Sequence, residues 1–194
     1  SNDIMPTEAA LYWFLEASRF ARYSSSGTTS LDEDLRDIQA SSSLREAIQK
    51  LLRRFRHDDP VEADDFLADY GDSRFGRFML YLLVYRNKAL DWDGHAHRIG
   101  FDGVELLADF HPQWHHIFPK KYLEGHNTGG LLDALANIAV IGPAINIRIS
   151  AKAPLDYVTR YEITPAKLVQ QFIDSQFTGV PIDGFENWTR TRAA

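Results

Sequence analysis

The chain has 194 residues, no cysteine and a formal net charge of −6. The lack of cysteine excludes a disulfide scaffold, thiol catalysis and cysteine-based metal sites, and the length suits one domain or a small domain with an attached lobe. No apolar run approaches the ~20 residues of a membrane span and no signal peptide opens the chain, so we expect a cytoplasmic protein without a membrane partner. The Ser1-Asn2 lead without Met is typical of a cleaved tag and indicates a fragment of a longer protein.

The charge is unevenly distributed. Residues 28–72 hold 12 acidic and 6 basic side chains, whereas residues 111–160 hold 3 acidic and 5 basic ones. A net negative chain argues against nucleic-acid binding in general, but the basic second half is suited to face a polyanion.

Helical signals dominate the first half of the chain. Ser30 and Ser43 each precede a glutamate by three residues, the capping-box pattern, and Asp59-Pro60 is a typical helix start. With the apolar spacing, these signals predict helices over residues 7–23, 31–39, 44–55, from 60 onward, and 74–87.

Helical periodicity stops after residue 87. Residues 88–112 mix aromatic side chains, histidines and glycines, which predicts short strands and loops. Residues 136–141 predict a short strand that ends at Gly142-Pro143. Further helices are predicted over 165–176, with Thr164 as the cap, and over 183–192. The predicted fold class is therefore α+β, mostly α.

One segment combines residues that carry chemistry: His115-His116-Ile117-Phe118-Pro119, then Asn137, then Asn146. Adjacent histidines in a strand point to opposite faces, and in a turn they can diverge, so that one binds a metal ion and the other meets a substrate. The Gly142-Pro143 turn predicts that Asn146 lies on a short helix after the strand, facing the histidine pair. The alternative interpretation is that both histidines are half-buried residues with no functional role.

These residues resemble the HNH, or ββα-metal, nucleases. The family pattern is an acidic residue or histidine, then His-Ile/Val-x-Pro, a middle asparagine, and a final histidine or asparagine about nine residues on. Here His115-His116-Ile117-x-Pro119, Asn137 and Asn146 match it, and the match covers residues 111–158. The resemblance implies a two-stranded hairpin followed by a helix, clamped on one divalent ion.

The resemblance also assigns roles. It implies that His116 is the general base, that Asn137 belongs to the catalytic group by tying the loop and orienting the base, and that His115 and Asn146 hold the ion. The basic residues clustered beside the motif are expected to contact DNA phosphates, namely Lys120, Lys121, Arg148 and Lys152.

The metal is left open between Mg²⁺, Mn²⁺, Ni²⁺ and Zn²⁺. Many HNH proteins have Asp where this chain has His115. A site of neutral histidine and asparagine is expected to bind Mg²⁺ weakly and to favour ions that accept nitrogen ligands.

A narrower resemblance concerns the helical lobe. Tyr12-Trp13, Arg22-Tyr23-Ser24-Ser25-Ser26 and Leu31-x-x-Asp34-Leu35 look like the segment before the HNH core in GmrSD-type, modification-dependent (type IV) restriction enzymes. The resemblance implies an upstream ParB-like nucleotide-binding domain as a partner, a role in phage defence, and HNH domains that work in pairs, hence a homodimer.

Together these expectations give a domain scheme and two candidate functions. A helical lobe is expected over residues 3–90, the HNH core over 91–160, and C-terminal helices packed on that core over 161–194. The first function is a metal-dependent DNA endonuclease of a restriction system. The alternative is a catalytically degenerate HNH scaffold that binds DNA or a partner protein.

Overall fold

The computed structural model describes residues 6–24, 27–55, 61–95, 97–99 and 112–194. The chain is mostly helical with one small antiparallel sheet, which confirms the α+β, mostly α class. The helices are α1 (Pro6–Arg19), α2 (Gly27–Gln39), α3 (Leu44–Leu52), α4 (Ala63–Leu67), α5 (Arg74–Arg86), α6 (Pro143–Ile149), α7 (Pro154–Arg160), α8 (Pro165–Gln170) and α9 (Phe185–Ala193). The strands are β1 (Gln113–His116) and β2 (Ile138–Ile141), and short 3₁₀ turns cover Leu135–Asn137, Phe177–Gly179 and Ile182–Gly184.

The chain divides into two compact units, Ser1–Val61 and Glu62–Ala194. This division does not coincide with the predicted boundaries after residues 90 and 160. The reason is that α5 belongs to the second unit, where Leu80 and Val84 are buried in one apolar cluster with Ile138 and Val140 of β2. Burial of these side chains ties α5 to the sheet.

In the first unit, α1, α2 and α3 surround one buried carboxylate. Asp34 is 1% exposed, and its oxygens accept hydrogen bonds from Arg22 Nε at 2.8 Å and Arg22 Nη2 at 2.7 Å, and from the Tyr23 hydroxyl at 2.5 Å. Arg54 Nε lies 3.2 Å from the same carboxylate. A buried charge needs such partners, so this cluster joins the three helices.

The structure confirms one of two predicted helix starts in the first unit. Ser43 caps α3 as predicted, since its hydroxyl accepts from Glu46 N at 3.2 Å. The predicted start at Ser30 is wrong, because α2 begins at Gly27 and Ser30 lies inside the helix on its buried side. The helix thus begins three residues before the local capping signal, and its buried face includes Ser30.

The helix expected from Pro60 begins later than predicted. Asp59 and Pro60 lie outside the described residues, and α4 starts at Ala63 with Glu62 as the cap residue. The Asp65 carboxylate accepts from Glu62 N at 2.9 Å. The cap residue is therefore Glu62, three residues after Asp59, where the sequence predicts the start.

The sheet of the second unit pairs β1 and β2 in antiparallel register. Trp114 lies opposite Val140, His115 opposite Ala139 and His116 opposite Ile138. All four residues of β2 are buried. The predicted strand over 136–141 begins only at Ile138, because the preceding residues form the 3₁₀ turn.

The helix predicted over 165–176 is shorter, ending at Gln170. Thr164 caps it as predicted, accepting from Lys167 N at 3.4 Å. The next side chain, Gln171, is fully buried and bonds both the N–H and the carbonyl of Val140 at the free edge of β2. The helix ends where Gln171 forms these hydrogen bonds, which satisfy polar groups at the strand edge.

Residues after 161 pack against the residues that follow β1. Their buried side chains share one apolar cluster with Ile117 and Phe118. These side chains are Ile163, Leu168, Ile173, Phe177, Phe185 and Trp188. They support the loop that follows the histidine pair.

Candidate active site

Strand β1 directs His115 and His116 to opposite faces of the sheet, as the sequence predicts. His115 is buried, at 4% exposure, and packs edge-on against Trp92 and Tyr157, with ring centroids 6.0 and 5.7 Å away. His116 is partly exposed and meets the ring of Tyr70 edge-on at 5.3 Å. The two imidazoles therefore have different environments.

His115 meets Asn146, which lies in the first turn of α6. The His115 Nδ1–H donates to Asn146 Oδ1 at 2.9 Å, which confirms the prediction that the two side chains converge. The start of α6 is fixed by Asp91, whose carboxylate accepts from Gly142 N at 2.9 Å. A Cβ at Gly142 would collide with that carboxylate, so a larger residue at this turn requires the Asp91 side chain to move.

Burial controls the protonation of both histidines. Burial lowers the pKa of His115 to about 4, against the opposing effect of its bond to Asn146. Burial also lowers the pKa of His116, although its hydrogen bond to Asp133 opposes the shift. Both imidazoles are therefore neutral at neutral pH, so each ring has one N–H group and one nitrogen with a lone pair.

Asn137 holds the loop between the histidine pair and Pro119. It is fully buried, and its Oδ1 accepts from Phe118 N at 3.0 Å while its Nδ2 donates to the carbonyls of Phe118 at 3.2 Å and Leu132 at 2.9 Å. Its amide is thus saturated by backbone groups, and Asn137 does not line the cavity that the histidines share. Its contacts fit the predicted role of tying the loop.

A half-buried arginine, Arg192, fixes the backbone on both sides of Asn137. Within the described ranges the Arg192 guanidinium donates only to backbone carbonyls, and two of them flank Asn137. The four acceptors are the carbonyls of Ala136, Ile138, Gln171 and Phe172, at 2.6 to 3.0 Å. Helix α9 is thereby bonded directly to the start of β2.

Removing the Asn137 amide is expected to destabilise this loop. Asn137→Ala leaves a buried N–H and two buried carbonyls short of partners, which should lower the free energy of unfolding by about 2–4 kcal/mol. Urea denaturation measures the loss. The matched control is Asn187→Ala, which removes an exposed amide from α9. Equal stability of the two variants would contradict the role assigned to Asn137.

His116 has a partner that the sequence did not predict. Its Nε2–H donates to Asp133 Oδ1 at 2.8 Å, and Lys120 Nζ lies 2.7 Å from Oδ1 and 3.0 Å from Oδ2 of the same carboxylate. Burial tends to raise the pKa of Asp133, but the bonds from Lys120 and His116 outweigh it and hold the pKa below its ordinary value. Asp133 is therefore an ionised acceptor at neutral pH.

A cavity of about 350 Å³ joins the two histidines. It is open to solvent and brings together three of the four predicted catalytic and metal-binding residues. Its lining is Trp114, His115, His116, Pro119, Lys120, Lys121, Asn146, Ser150 and Ala151.

The four predicted DNA contacts differ in their surroundings. Lys120 is paired with Asp133, and Lys152 Nζ donates to the carbonyls of Arg148 at 2.5 Å and Ile149 at 3.3 Å. Lys121 lines the cavity and is exposed, and the Arg148 side chain is exposed on α6 outside the cavity lining. Within the described part of the chain, the side chains of Lys121 and Arg148 have no ion pair.

The pair formed by His115 and Asn146 fits a divalent ion. Two ligands in neighbouring positions of an octahedral ion at about 2.1 Å stand about 3 Å apart, and the His115 Nδ1 and Asn146 Oδ1 atoms are separated by 2.9 Å. In the neutral imidazole Nδ1 carries the hydrogen that Asn146 accepts, so an ion between the two side chains would replace that hydrogen. The ring hydrogen would then lie on His115 Nε2, which is buried without a hydrogen-bond partner among the described residues. Across the described ranges, no group of three or more His, Cys, Asp or Glu side chains could hold a metal, and solvent or substrate oxygens would complete the coordination.

Comparisons with protein-family models, curated proteins and solved structures return no match for this chain. None of the helices in the described ranges has the length and apolar character needed to cross a membrane.

Proposed function

We propose that this chain is a metal-dependent DNA endonuclease of the HNH type, the nuclease part of a cytoplasmic phage-defence restriction protein. One observation carries the proposal: the His115–Asn146 donor pair and the His116 imidazole open into one cavity beside two lysines. Metal-assisted hydrolysis of a phosphodiester needs at least ligands for an ion and a neutral side chain that can accept a proton, and this cavity has both.

In the proposed reaction, His116 acts as the general base. Its Nδ1 takes a proton from a water molecule, whose oxygen attacks the phosphorus in line with the leaving 3′ oxygen. The P–O3′ bond breaks, and solvent protonates the leaving oxygen. An ion held by His115 and Asn146 supplies positive charge that offsets the negative charge of the transition state.

Plasmid nicking tests this function against the alternative of a degenerate binding module. Neither His115 nor Asn146 carries a negative charge, and this observation favours the alternative, since a weak ion site suits a scaffold that binds without cutting. We expect conversion of supercoiled DNA to nicked circles with Mn²⁺, Ni²⁺ or Zn²⁺, less with Mg²⁺, and none with a chelator. Binding of the plasmid without nicking under every metal would favour the binding module.

DNA binding by this chain is expected to be weak and salt-dependent. Each phosphate contact contributes about 0.9 to the slope of log K against log salt, so two to four contacts predict a slope of about −2 to −4. Lys121→Ala and Arg148→Ala should each reduce it by about 1, whereas Arg36→Ala, an exposed cation of α2, should not change it.

The measurement is a binding titration at several salt concentrations, with modified and unmodified duplexes. Tight, salt-insensitive binding that distinguishes a modified base would place specificity in this chain. That result would contradict the proposal that an upstream domain, such as the ParB-like domain of the resemblance, supplies recognition.

A further inference from the structure

We propose that Asp133 is the positioning residue of the His116 base, and that Lys120 holds the Asp133 carboxylate in place rather than contacting DNA. This inference rests on the proposed function of His116. Its starting point is a chain of contacts from Lys120 Nζ to Asp133 Oδ1 at 2.7 Å and from Oδ1 to His116 Nε2 at 2.8 Å.

The contact fixes which nitrogen of His116 carries the proton. An ionised carboxylate has no hydrogen to donate, so the bond to Asp133 requires that Nε2 of His116 carries the hydrogen. A neutral imidazole has only one N–H, and therefore Nδ1 holds the lone pair. Among the described residues Nδ1 has no hydrogen-bond partner, and His116 lines the open cavity, so this nitrogen is free to accept a proton from water.

Lys120 limits the rotation of the Asp133 carboxylate, and the carboxylate in turn limits the rotation of the His116 imidazole. The ammonium contacts both oxygens, at 2.7 and 3.0 Å, and its pKa is raised chiefly by this bond. Two cationic or N–H partners on one carboxylate fix its rotamer more firmly than His116 would alone. The ammonium is thereby engaged within the protein, unlike that of Lys121.

The side chain of Asp133 can be changed without removing the bonds that hold its backbone. Tyr70 N donates to the Asp133 carbonyl at 2.8 Å, and Leu135 N donates to the Ala68 carbonyl at 3.0 Å. The Asp133 side chain is 28% exposed, and asparagine has nearly the same size and shape, so this replacement leaves no cavity. A folded variant is therefore expected, and it separates positioning from stability.

The test compares Asp133→Asn with Asp133→Glu in the full chain. An asparagine can offer its N–H groups to Nε2 of His116, which favours the opposite tautomer, with hydrogen on Nδ1. An aspartate that orients a catalytic histidine lowers kcat about 10⁴-fold when changed to asparagine in the serine-protease triad. We expect a loss of about 10²–10⁴-fold in the Mn²⁺-dependent nicking rate with little change in KM, and partial recovery with glutamate.

The second readout is the ¹⁵N NMR signature of the His116 ring in the neutral, metal-free chain. We expect hydrogen on Nε2 in the wild type and in Asp133→Glu, and a population with hydrogen on Nδ1 in Asp133→Asn. The matched control is Asp156→Asn, which removes an exposed carboxylate from α7 and should leave both readouts unchanged.

The possible failures are distinguishable. If Asp133→Asn keeps the wild-type tautomer and the wild-type nicking rate, the positioning role is overturned and the nuclease function remains. If the wild type cuts no DNA with any metal, the proposed function is overturned, and the role of Asp133 in positioning a base falls with it, even when the NMR comparison shows that Asp133 fixes the tautomer.

Discussion

Replacing His116 by alanine is expected to lower the rate of Mn²⁺-dependent plasmid nicking by about 10²–10⁴-fold, the usual contribution of a general base. The imidazole is neutral because burial lowers its pKa, and it lines the cavity beside the His115–Asn146 pair. Alanine removes the proton acceptor and leaves the ion pair between Lys120 and Asp133 intact. The nicking rate at saturating Mn²⁺ measures the effect.

The matched control for this variant is His126→Ala. His126 is exposed in a loop outside the cavity lining, and among the described residues its side chain bonds only the Glu124 carbonyl, from Nδ1 at 3.1 Å. Circular dichroism and thermal melting establish that both variants fold. Near-wild-type nicking by folded His116→Ala would show that His116 is not the base.

Loss of the buried carboxylate of α2 is expected to destabilise the first unit by about 3–5 kcal/mol. Asp34→Asn removes the buried carboxylate, only 2% exposed, that Arg22 and Arg54 share. Among the described residues, the two guanidinium groups then keep only more exposed carboxylate partners, Glu33 and Asp37. A loss of several kcal/mol is a large fraction of the free energy of unfolding expected for a unit of this size. Hydrogen exchange over residues 6–55 should therefore show loss of protection.

The control for this variant is Asp32→Asn, an exposed carboxylate of the same helix, which should change stability by less than about 0.5 kcal/mol. Equal protection in the two variants would contradict a structural role for the Asp34 cluster.

The same cluster predicts how stability depends on pH. Burial of Asp34 tends to raise its pKa, but the bonds from Arg22 and Tyr23 outweigh burial and hold the pKa below its ordinary value of 3.8. A lowered pKa in the folded state means that the stabilisation is present above that ordinary value and is lost as the pH falls through the folded pKa. Protection of residues 6–55 should therefore fall in acid in the wild type, and less so in Asp34→Asn.

Local patterns in the sequence predicted most elements because they reflect interactions between near neighbours. The Ser43 cap, the apolar helix over 74–86 and the strand before Gly142-Pro143 follow from capping, periodicity and turn residues. The convergence of His115 and Asn146 was also predictable, because an antiparallel strand followed at once by a helix returns the chain over β1.

What the sequence did not predict depends on residues far apart in the chain. Asp133 stands 17 residues after His116, and no spacing pattern indicates that the long loop returns to the base. Arginine is ordinarily a surface residue, yet the half-buried Arg192 donates to four backbone carbonyls. The end of α8 is set by the pairing of Gln171 with β2, which no local signal encodes.

The central claim is that His115 and Asn146 hold the ion that makes the cavity a nuclease site. A Mn²⁺ titration of plasmid nicking tests it most directly, with the wild type compared with His115→Ala and with the exposed-loop control His126→Ala. The account predicts metal-dependent nicking by the wild type and by the control, abolished by a chelator, and a requirement for at least about tenfold more Mn²⁺ in His115→Ala. Nicking that survives the chelator, or the same Mn²⁺ requirement in all three proteins, would contradict it.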